Sequence, residues 1–153
     1  MPNPPRPRGS YFEEFEIGDT VKSPSRTVTE TDVVLFAGLS GDYNQLHTDA
    51  EFAKGTLFGE RVAHGLLGLS IASGLVSRTG FAEGTVEAFT MLEWKFRRPI
   101  KIGDTIRVLI EVRQKKEMAR LGGGFVVCNV KILNQQEETV QKGTWTLLVK
   151  SAP

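Results

Sequence analysis

Hydrophobic and polar residues alternate along much of the second half of the chain. Residues 86–96 show this period of two, and residues 103–113 repeat it. Such alternation predicts β-strands that bury one face. Two more apolar runs, at 125–133 and 144–149, predict further strands on either side of the polar residues 134–138. Four consecutive strands joined by short turns favour an antiparallel meander.

The first half carries helical patterns instead. Thr29 and Asp32 have the spacing of a capping box before an apolar stretch, which predicts a helix over 30–39 that stops near a glycine. A loop over 41–48 should follow. A second short helix is predicted over 49–55, because that segment opens with an aspartate and ends with a glycine.

Residues 64–78 form the most apolar segment of the chain. Aliphatic side chains occupy every side of a helix drawn over it, interrupted only by serines and glycines. A helix of this kind is expected to be surrounded by other elements. Residues 20–28 predict a weak edge strand that Pro24 interrupts. Together the elements predict an α+β fold, with an antiparallel sheet curled around one buried helix.

Length and charge narrow the class of protein. With 153 residues, of which 40% are hydrophobic, the chain suits one domain with a sizeable core. Nineteen basic and eighteen acidic residues give a net charge of +1. A chain this close to neutral has no strong positive potential that would attract nucleic acid or an anionic membrane. We therefore expect a small-molecule partner.

No targeting or spanning segment is expected. The longest uncharged stretch, 62–77, is shorter than the roughly 20 residues of a transmembrane helix. Residues 1–10 are rich in proline and lack an apolar run, so they are predicted to be a flexible tail rather than a signal peptide. We therefore expect a cytoplasmic protein.

The chain has one cysteine, Cys128, within an apolar run. A single cysteine excludes an internal disulfide and argues against cysteine-based zinc sites. Cys128 is predicted to be a buried structural thiol.

The two histidines, His47 and His64, both lie between the first helix and the apolar one. Asp42 and Asn44 share the predicted loop with His47, so an acid, an amide and an imidazole can converge there. An Asx turn beside a partly buried histidine would explain the same residues without any chemistry.

These residue types suit the addition of water to an enoyl thioester. That reaction needs a base for water, an acid for the α-carbon, and donors for the enolate-like oxygen. Asp42 and His47 can meet the first two needs, and the unbonded amides at the start of the apolar helix, near Gly65, can meet the third. Gly65 can equally mark a tight loop-to-helix junction, and His64 can be a capping or packing residue.

Two segments carry a family resemblance. Residues 40–47, SGDYNQLH, and 61–67, RVAHGLL, resemble the MaoC-like dehydratase family, which includes the (R)-specific enoyl-CoA hydratases. The resemblance covers about 15–149 and implies that residues 11–153 form one hot-dog domain. It also implies hydration of a trans-2-enoyl-CoA, or of an acyl-carrier-protein thioester, to the (R)-3-hydroxyacyl product in acyl-CoA and fatty acid metabolism. A homodimer or higher homo-oligomer without cofactor or metal is expected.

The resemblance also implies roles for individual residues. Asp42 and His47 would be the catalytic pair, Asn44 would order the loop and water, and the Gly65 amide would bind the thioester oxygen. His64 and Ser73 would belong to the substrate-binding residues, although Ser73 can equally be a small packing residue. One departure is Gln45, where the family usually has proline, and it puts the rigidity of the loop in doubt.

Several other interpretations stay open. Asp42, His47, Asp49 and His64 can be read as a metal site, but no tight ligand spacing supports it. Four basic residues can meet phosphates of coenzyme A or be merely solvated: Lys95, Arg97, Arg98 and Lys101. Residues 122–124 are three glycines that precede a strand, which predicts a turn. A hot-dog thioesterase and a non-catalytic acyl-thioester-binding subunit are the alternative functions.

Overall fold

The computed structural model describes residues 8–153. Most of the predicted tail, residues 1–7, therefore lies outside the described residues. The end of that tail is held in place, because the Gly9 amide donates to the Glu83 carbonyl at 2.8 Å and the Ser10 amide donates to the Phe81 carbonyl.

The described chain begins with short elements and ends with long strands. The helices are α1 (Glu30–Ser40), α2 (Gln45–Thr48), α3 (Ala50–Lys54) and α4 (Gly65–Arg78). The strands are β1 (Thr20–Lys22), β2 (Arg26–Thr27), β3 (Val86–Phe96), β4 (Thr105–Met118), β5 (Gly123–Leu133) and β6 (Thr139–Lys150). All predicted elements are present. Short 3-10 turns occur at Phe12–Glu14 and Ala119–Leu121.

One antiparallel sheet contains the strands in the order β1-β4-β5-β6-β3, and β2 pairs with a further part of β4. The predicted strand over 20–28 is thus divided into two short strands, on either side of Pro24. Proline has no amide hydrogen for the ladder, so the division falls at the expected place. The predicted meander of four long strands is wrong for the first of them: β4, β5 and β6 are consecutive neighbours, but β3 pairs with β6 rather than with β4, which follows it in the chain.

The core lies between α4 and the inner face of the sheet. The β4 and β5 side chains at this face are almost fully buried: Ile106, Val108, Ile110, Val112, Val126, Cys128, Val130 and Ile132. Burial raises the pKa of the Cys128 thiol to about 12. The prediction of a buried structural thiol is therefore confirmed.

Within one chain, the sheet covers only one side of α4. Leu67, Ile71 and Leu75 face the core. The opposite side is exposed, and we call it the open stripe; it consists of Leu66, Ser70, Ser73, Gly74 and Ser77. The expectation that this helix is surrounded is wrong for a single chain, because no element among residues 8–153 covers the stripe.

Strand β3 is an edge strand with an irregular register. It pairs with β6, and two register shifts interrupt the pairing near Ala88 and Thr90. As a result, Phe89 and Trp94 both lie against Trp145, with ring centroids 5.3 and 6.1 Å from it. The single alternation predicted for this strand is wrong, since a bulge moves the inward position by one residue. Among residues 8–153, no helix is long and apolar enough to cross a membrane.

Candidate active site

Helix α1 leads into the candidate site. Thr29 and Asp32 form the predicted capping box: the Asp32 amide donates to the Thr29 hydroxyl, and the Thr29 amide donates to the Asp32 carboxylate at 2.9 Å. The helix ends at Gly41, whose φ of 77° is left-handed. Glycine adopts this conformation without strain, so the chain can turn sharply into the next segment.

The segment that follows, predicted as a loop, contains one turn of helix, α2. The Asp42 carboxylate accepts from the Asn44 amide at 3.1 Å, and the Asn44 side chain accepts from the Leu46 amide at 3.2 Å. These are local Asx and N-cap contacts, so the expected Asx turn is present. Among residues 8–153, the other Asp42 oxygen accepts no hydrogen bond.

Gln45 is the first residue of α2, with Asn44 as its N-cap. Proline is favoured at this helix position because the first amide has no intrahelical acceptor and the fixed φ suits the helix. Glutamine can replace it here without breaking a backbone hydrogen bond.

The orientation of His47 is set by a backbone carbonyl. Its Nδ1 lies 2.7 Å from the Val62 oxygen. A carbonyl can only accept, so Nδ1 carries a hydrogen and Nε2 is the nitrogen available to act as a base. The Arg61 guanidinium donates to the His47 carbonyl at 3.1 Å and also binds Glu30. Arg61 thus ties α2 to the start of α1.

His64 is buried at 2% exposure and precedes α4. Its Nε2 lies 2.9 Å from the Asp42 carbonyl, and its ring stacks on the His47 ring with centroids 3.8 Å apart. His64 is the N-cap residue of α4, although its side chain bonds none of the helix amides, so the interpretation of a capping or packing residue fits. Nδ1 of this ring has no hydrogen-bond partner within the described chain.

Polar atoms of Asp42, His47 and His64 all lie within 4.8 Å of one another. A water that makes hydrogen bonds of about 2.8 Å can bridge two groups at this separation. A shared metal ion fits less well, because an ion lies in the plane of each imidazole it binds and these two rings are stacked. Asp49 is not in the group, since its carboxylate caps α3 by accepting from the Phe52 amide at 2.9 Å.

Gly65 begins α4, where the first amide has no intrahelical acceptor. It lines a cavity of about 600 Å³ together with His47, Leu46, Phe58, Phe96 and Gln141. The interpretation of Gly65 as a tight loop-to-helix junction fits its surroundings. A Cβ at Gly65 would lie 2.7 Å from the Phe96 ring, so the glycine admits that ring rather than open space.

The match with known proteins agrees with this arrangement. Residues 13–130 match the family described as MaoC like domain. The chain belongs to this family. The (R)-specific enoyl-CoA hydratase of Rhodospirillum rubrum is 35% identical over 102 residues, which cover 67% of this chain and 69% of that protein. The 3-hydroxybutyryl-CoA dehydratase of Methylorubrum extorquens is 36% identical over 120 residues, covering 76% of this chain and 74% of that protein.

A third relative is longer. Protein MaoC of Klebsiella aerogenes is 41% identical over 109 residues, which are 71% of this chain and 32% of the Klebsiella protein. The MaoC-like chain therefore spans about a third of that relative.

Solved structures agree on the fold. A protein from Archaeoglobus described as a monoamine oxidase regulatory protein superposes with a TM-score of 0.89 at 39% identity, covering 95% of this chain and 97% of that one. A Mycobacterium tuberculosis protein with a double hot-dog fold gives a TM-score of 0.78 at 18% identity, covering 95% of this chain and 45% of that one. The predicted α+β hot-dog fold is confirmed.

Ser73 and part of the basic group, which were expected at the site, lie away from it. Ser73 lies on the open stripe, away from the His47 cavity, and its hydroxyl donates to the Ser70 carbonyl at 2.6 Å. Arg97 and Arg98 line the cavity, whereas Lys95 and Lys101 do not.

Nearby carboxylates bind part of the basic group. Arg98 lies 3.7 Å from Glu138, and Lys101 lies 3.6 Å from Glu60. The turn predicted for the triple glycine is present only at Gly122, which has a left-handed φ of 67°, because Gly123 and Gly124 already pair within β5.

Sequence reasoning missed two residues of the site, Arg61 and Gln141. Arg61 stood in a recognised segment, but nothing in its spacing linked it to the His47 carbonyl. Gln141 lay outside the predicted strand over 144–149, because β6 begins earlier, at Thr139. A polar residue that continues the inward period of β6 was the signal available for it.

Proposed function

We propose that this chain is an (R)-specific enoyl-CoA hydratase/dehydratase that adds water across a trans-2-enoyl thioester to give the (R)-3-hydroxyacyl thioester. The observation that carries the proposal is the placement of His47. Its Nδ1 is occupied by the Val62 carbonyl, its Nε2 is free, and polar atoms of Asp42 lie within 4.8 Å. The R configuration is carried over from the Rhodospirillum relative.

The bound water lies between Asp42 and His47 in this mechanism. His47 Nε2 takes one proton from the water, and the oxygen of the water forms a bond to C3 of the substrate. The π electrons of the C2–C3 bond move toward the thioester oxygen, which becomes enolate-like. C2 then takes a proton from the Asp42 carboxyl, and the proton on His47 restores that carboxyl.

The Gly65 amide is the proposed donor to the thioester oxygen. It is the first amide of α4, so it has no competing intrahelical acceptor and lies at the positive end of the helix dipole. A donor aimed at an oxygen that gains charge lowers the barrier more than it tightens ground-state binding.

His64 and Asn44 support the reacting groups in this proposal. His64 binds the Asp42 carbonyl and stacks on His47, and Asn44 caps α2. Both therefore fix the loop rather than touch the substrate. Arg97 and Arg98 are positioned for an anionic part of the carrier, which is coenzyme A or an acyl carrier protein.

A second copy of the chain completes the proposal. Asp42 is exposed in a single chain, and the acid role requires that its carboxyl be shielded from water during the reaction. The open stripe of α4 and the exposed apolar residues Phe89, Met91 and Leu92 of the edge strand offer a surface for such a partner. We therefore expect a homodimer.

The test is hydration by the purified chain of a trans-2-enoyl-CoA without added metal or redox cofactor. Asp42→Asn and His47→Gln should each lower kcat roughly 10²–10⁴-fold. Glu117→Gln is the matched control, because Glu117 is an exposed carboxylate on β4, outside the site. Loss of the enoyl-thioester absorbance and chiral analysis of the product give the readouts.

The double variant should be little worse than either single variant, because groups that act as one unit are non-additive. Wild-type rates in both single variants would refute the mechanism. Thioester cleavage without hydration would favour the thioesterase, and no turnover of any enoyl thioester would favour the binding subunit.

A further inference from the structure

Gln141 is a buried amide whose two ends are both hydrogen bonded. It is 2% exposed, near the start of β6. Its Oε1 accepts from the Trp94 indole N–H at 2.8 Å, and its Nε2 donates to the Gly65 carbonyl at 3.1 Å. The side chain therefore links the edge strand β3 to the first residue of α4.

Two glycines let α4 approach this amide. A Cβ at Gly68 would lie 2.5 Å from Gln141 Nε2, and a Cβ at Gly65 would lie 2.7 Å from the Phe96 ring. Phe96 and Gln141 are themselves directly paired between β3 and β6. The start of α4 thus packs on this cross-strand pair and on Ile100, and a Cβ at either glycine would force a neighbouring side chain to move.

We infer that Gln141 is a positioning residue: its bond to the Gly65 carbonyl holds the first turn of α4 so that the Gly65 amide is aimed at the substrate oxygen. This inference rests on the proposed hydratase function. Gln141 acts through Gly65 and is not itself the donor to the oxygen.

The effect of losing the bond should appear in turnover rather than in binding. The Gly65 amide interacts most strongly with the charge that develops during the reaction, so a small misalignment weakens that stage selectively. Gln141→Met keeps the approximate length of the side chain and removes both hydrogen bonds. We expect it to lower kcat about 10-fold and to change KM by less than about twofold.

The experiment compares Gln141→Met with Gln114→Met in the full-length protein. Gln114 is exposed on β4, so the second variant makes the same chemical change away from the site. Steady-state kinetics with a trans-2-enoyl-CoA give kcat and KM, and thermal unfolding identifies a temperature at which both variants are folded. The amide resonance of Gly65 in a ¹⁵N-labelled sample reports, without any substrate, whether the bond between Gln141 and the Gly65 carbonyl holds the first turn of α4.

A kcat loss with KM unchanged, together with a shifted Gly65 resonance, supports the inference. Unchanged kcat, or a rise in KM alone, overturns it. If Gln141→Met does not fold, Trp94→Phe releases the Oε1 end and should give a smaller kcat loss of the same kind; wild-type kinetics there overturn the inference. If the wild type turns over no enoyl thioester, the proposed function fails. A Gly65 resonance that is the same in Gln141→Met and the wild type would refute the positioning role of Gln141 in either case.

Discussion

At the scale of single residues, the site depends on which atoms the backbone has already engaged. The Val62 carbonyl takes one nitrogen of His47, and the Asp42 carbonyl takes one nitrogen of His64. Neither imidazole is free to exchange its tautomer without losing a hydrogen bond. The chemistry proposed for His47 therefore follows from contacts made by main-chain atoms.

Gly65 gives a prediction at this scale. Gly65→Ala places a methyl group against the Phe96 ring, so either the ring or the first turn of α4 must move. We expect kcat to fall by at least about 10-fold while the protein stays folded. Gly55→Ala is the control, because a Cβ at Gly55 meets only an ordinary contact of 3.5 Å and its φ is −85°. Equal kinetics for Gly65→Ala and the wild type would place the carbonyl site elsewhere.

The sequence was sufficient to expect Asp42 and His47 close together, because an acid and an imidazole within a short loop form a local pattern. It was insufficient for Arg61 and Gln141. Arg61 binds the His47 carbonyl and Glu30, and Gln141 binds the Gly65 carbonyl, so both contacts join segments that are distant in the sequence. The inward period of β6 could mark Gln141 as buried, but it could not name its partner. The contact of Gly65 with Phe96 was not predicted either, since that ring comes from a distant strand.

At the scale of elements, predictions from capping residues were more accurate than predictions from hydrophobic alternation. Helix α1 begins at its predicted capping box and ends one residue beyond the predicted end. Strand β5 is found from Gly123 to Leu133, close to the predicted 125–133. In β3 the bulges changed which side chains face inward, and no property of an alternating sequence marks where a bulge falls.

The α1 cap gives an acid-dependent prediction. Partial burial acts to raise the pKa of Asp32, but hydrogen bonds from Thr29 and the ion pair with Arg26 outweigh it and lower that pKa. A lowered carboxyl pKa adds stability above the unfolded value of about 3.9, and this stability is lost as pH falls through the folded value. Asp32→Asn should therefore lower the free energy of unfolding by about 0.5–1 kcal/mol at pH 7.

The measurement is urea unfolding of the wild type and Asp32→Asn at neutral and acid pH. The difference between them should shrink at acid pH, because the wild-type carboxylate is then protonated. Glu117→Gln, an exposed change on β4, should show little difference at either pH. A difference between wild type and Asp32→Asn that stays constant with pH would contradict the cap assignment.

At the scale of the whole molecule, the sheet of a single chain covers only one side of α4. The open stripe of α4 lies beside an edge strand that presents exposed Phe89, Met91 and Leu92. Exposed apolar surface next to an unpaired strand edge is typical of an interface. This exposed surface is the observation on which the expected homodimer rests.

Light scattering tests this expectation. The wild type should show no dominant monomer at micromolar concentration. Ser73→Arg places a charge on the open stripe and should shift the population toward monomer and lower activity, whereas Gln114→Arg on β4 should do neither. A monodisperse, fully active wild-type monomer would refute the homodimer.

The burial of Cys128 has a use of its own. The thiol is fully buried and its pKa is raised to about 12, so almost no thiolate is available to a reagent while the core is closed. Modification requires an opening that exposes the middle of β5. In an excess of thiol reagent, the rate at which Cys128 of the wild-type protein is labelled therefore measures how often the core opens. A bound ligand that stabilises the closed core should lower this rate.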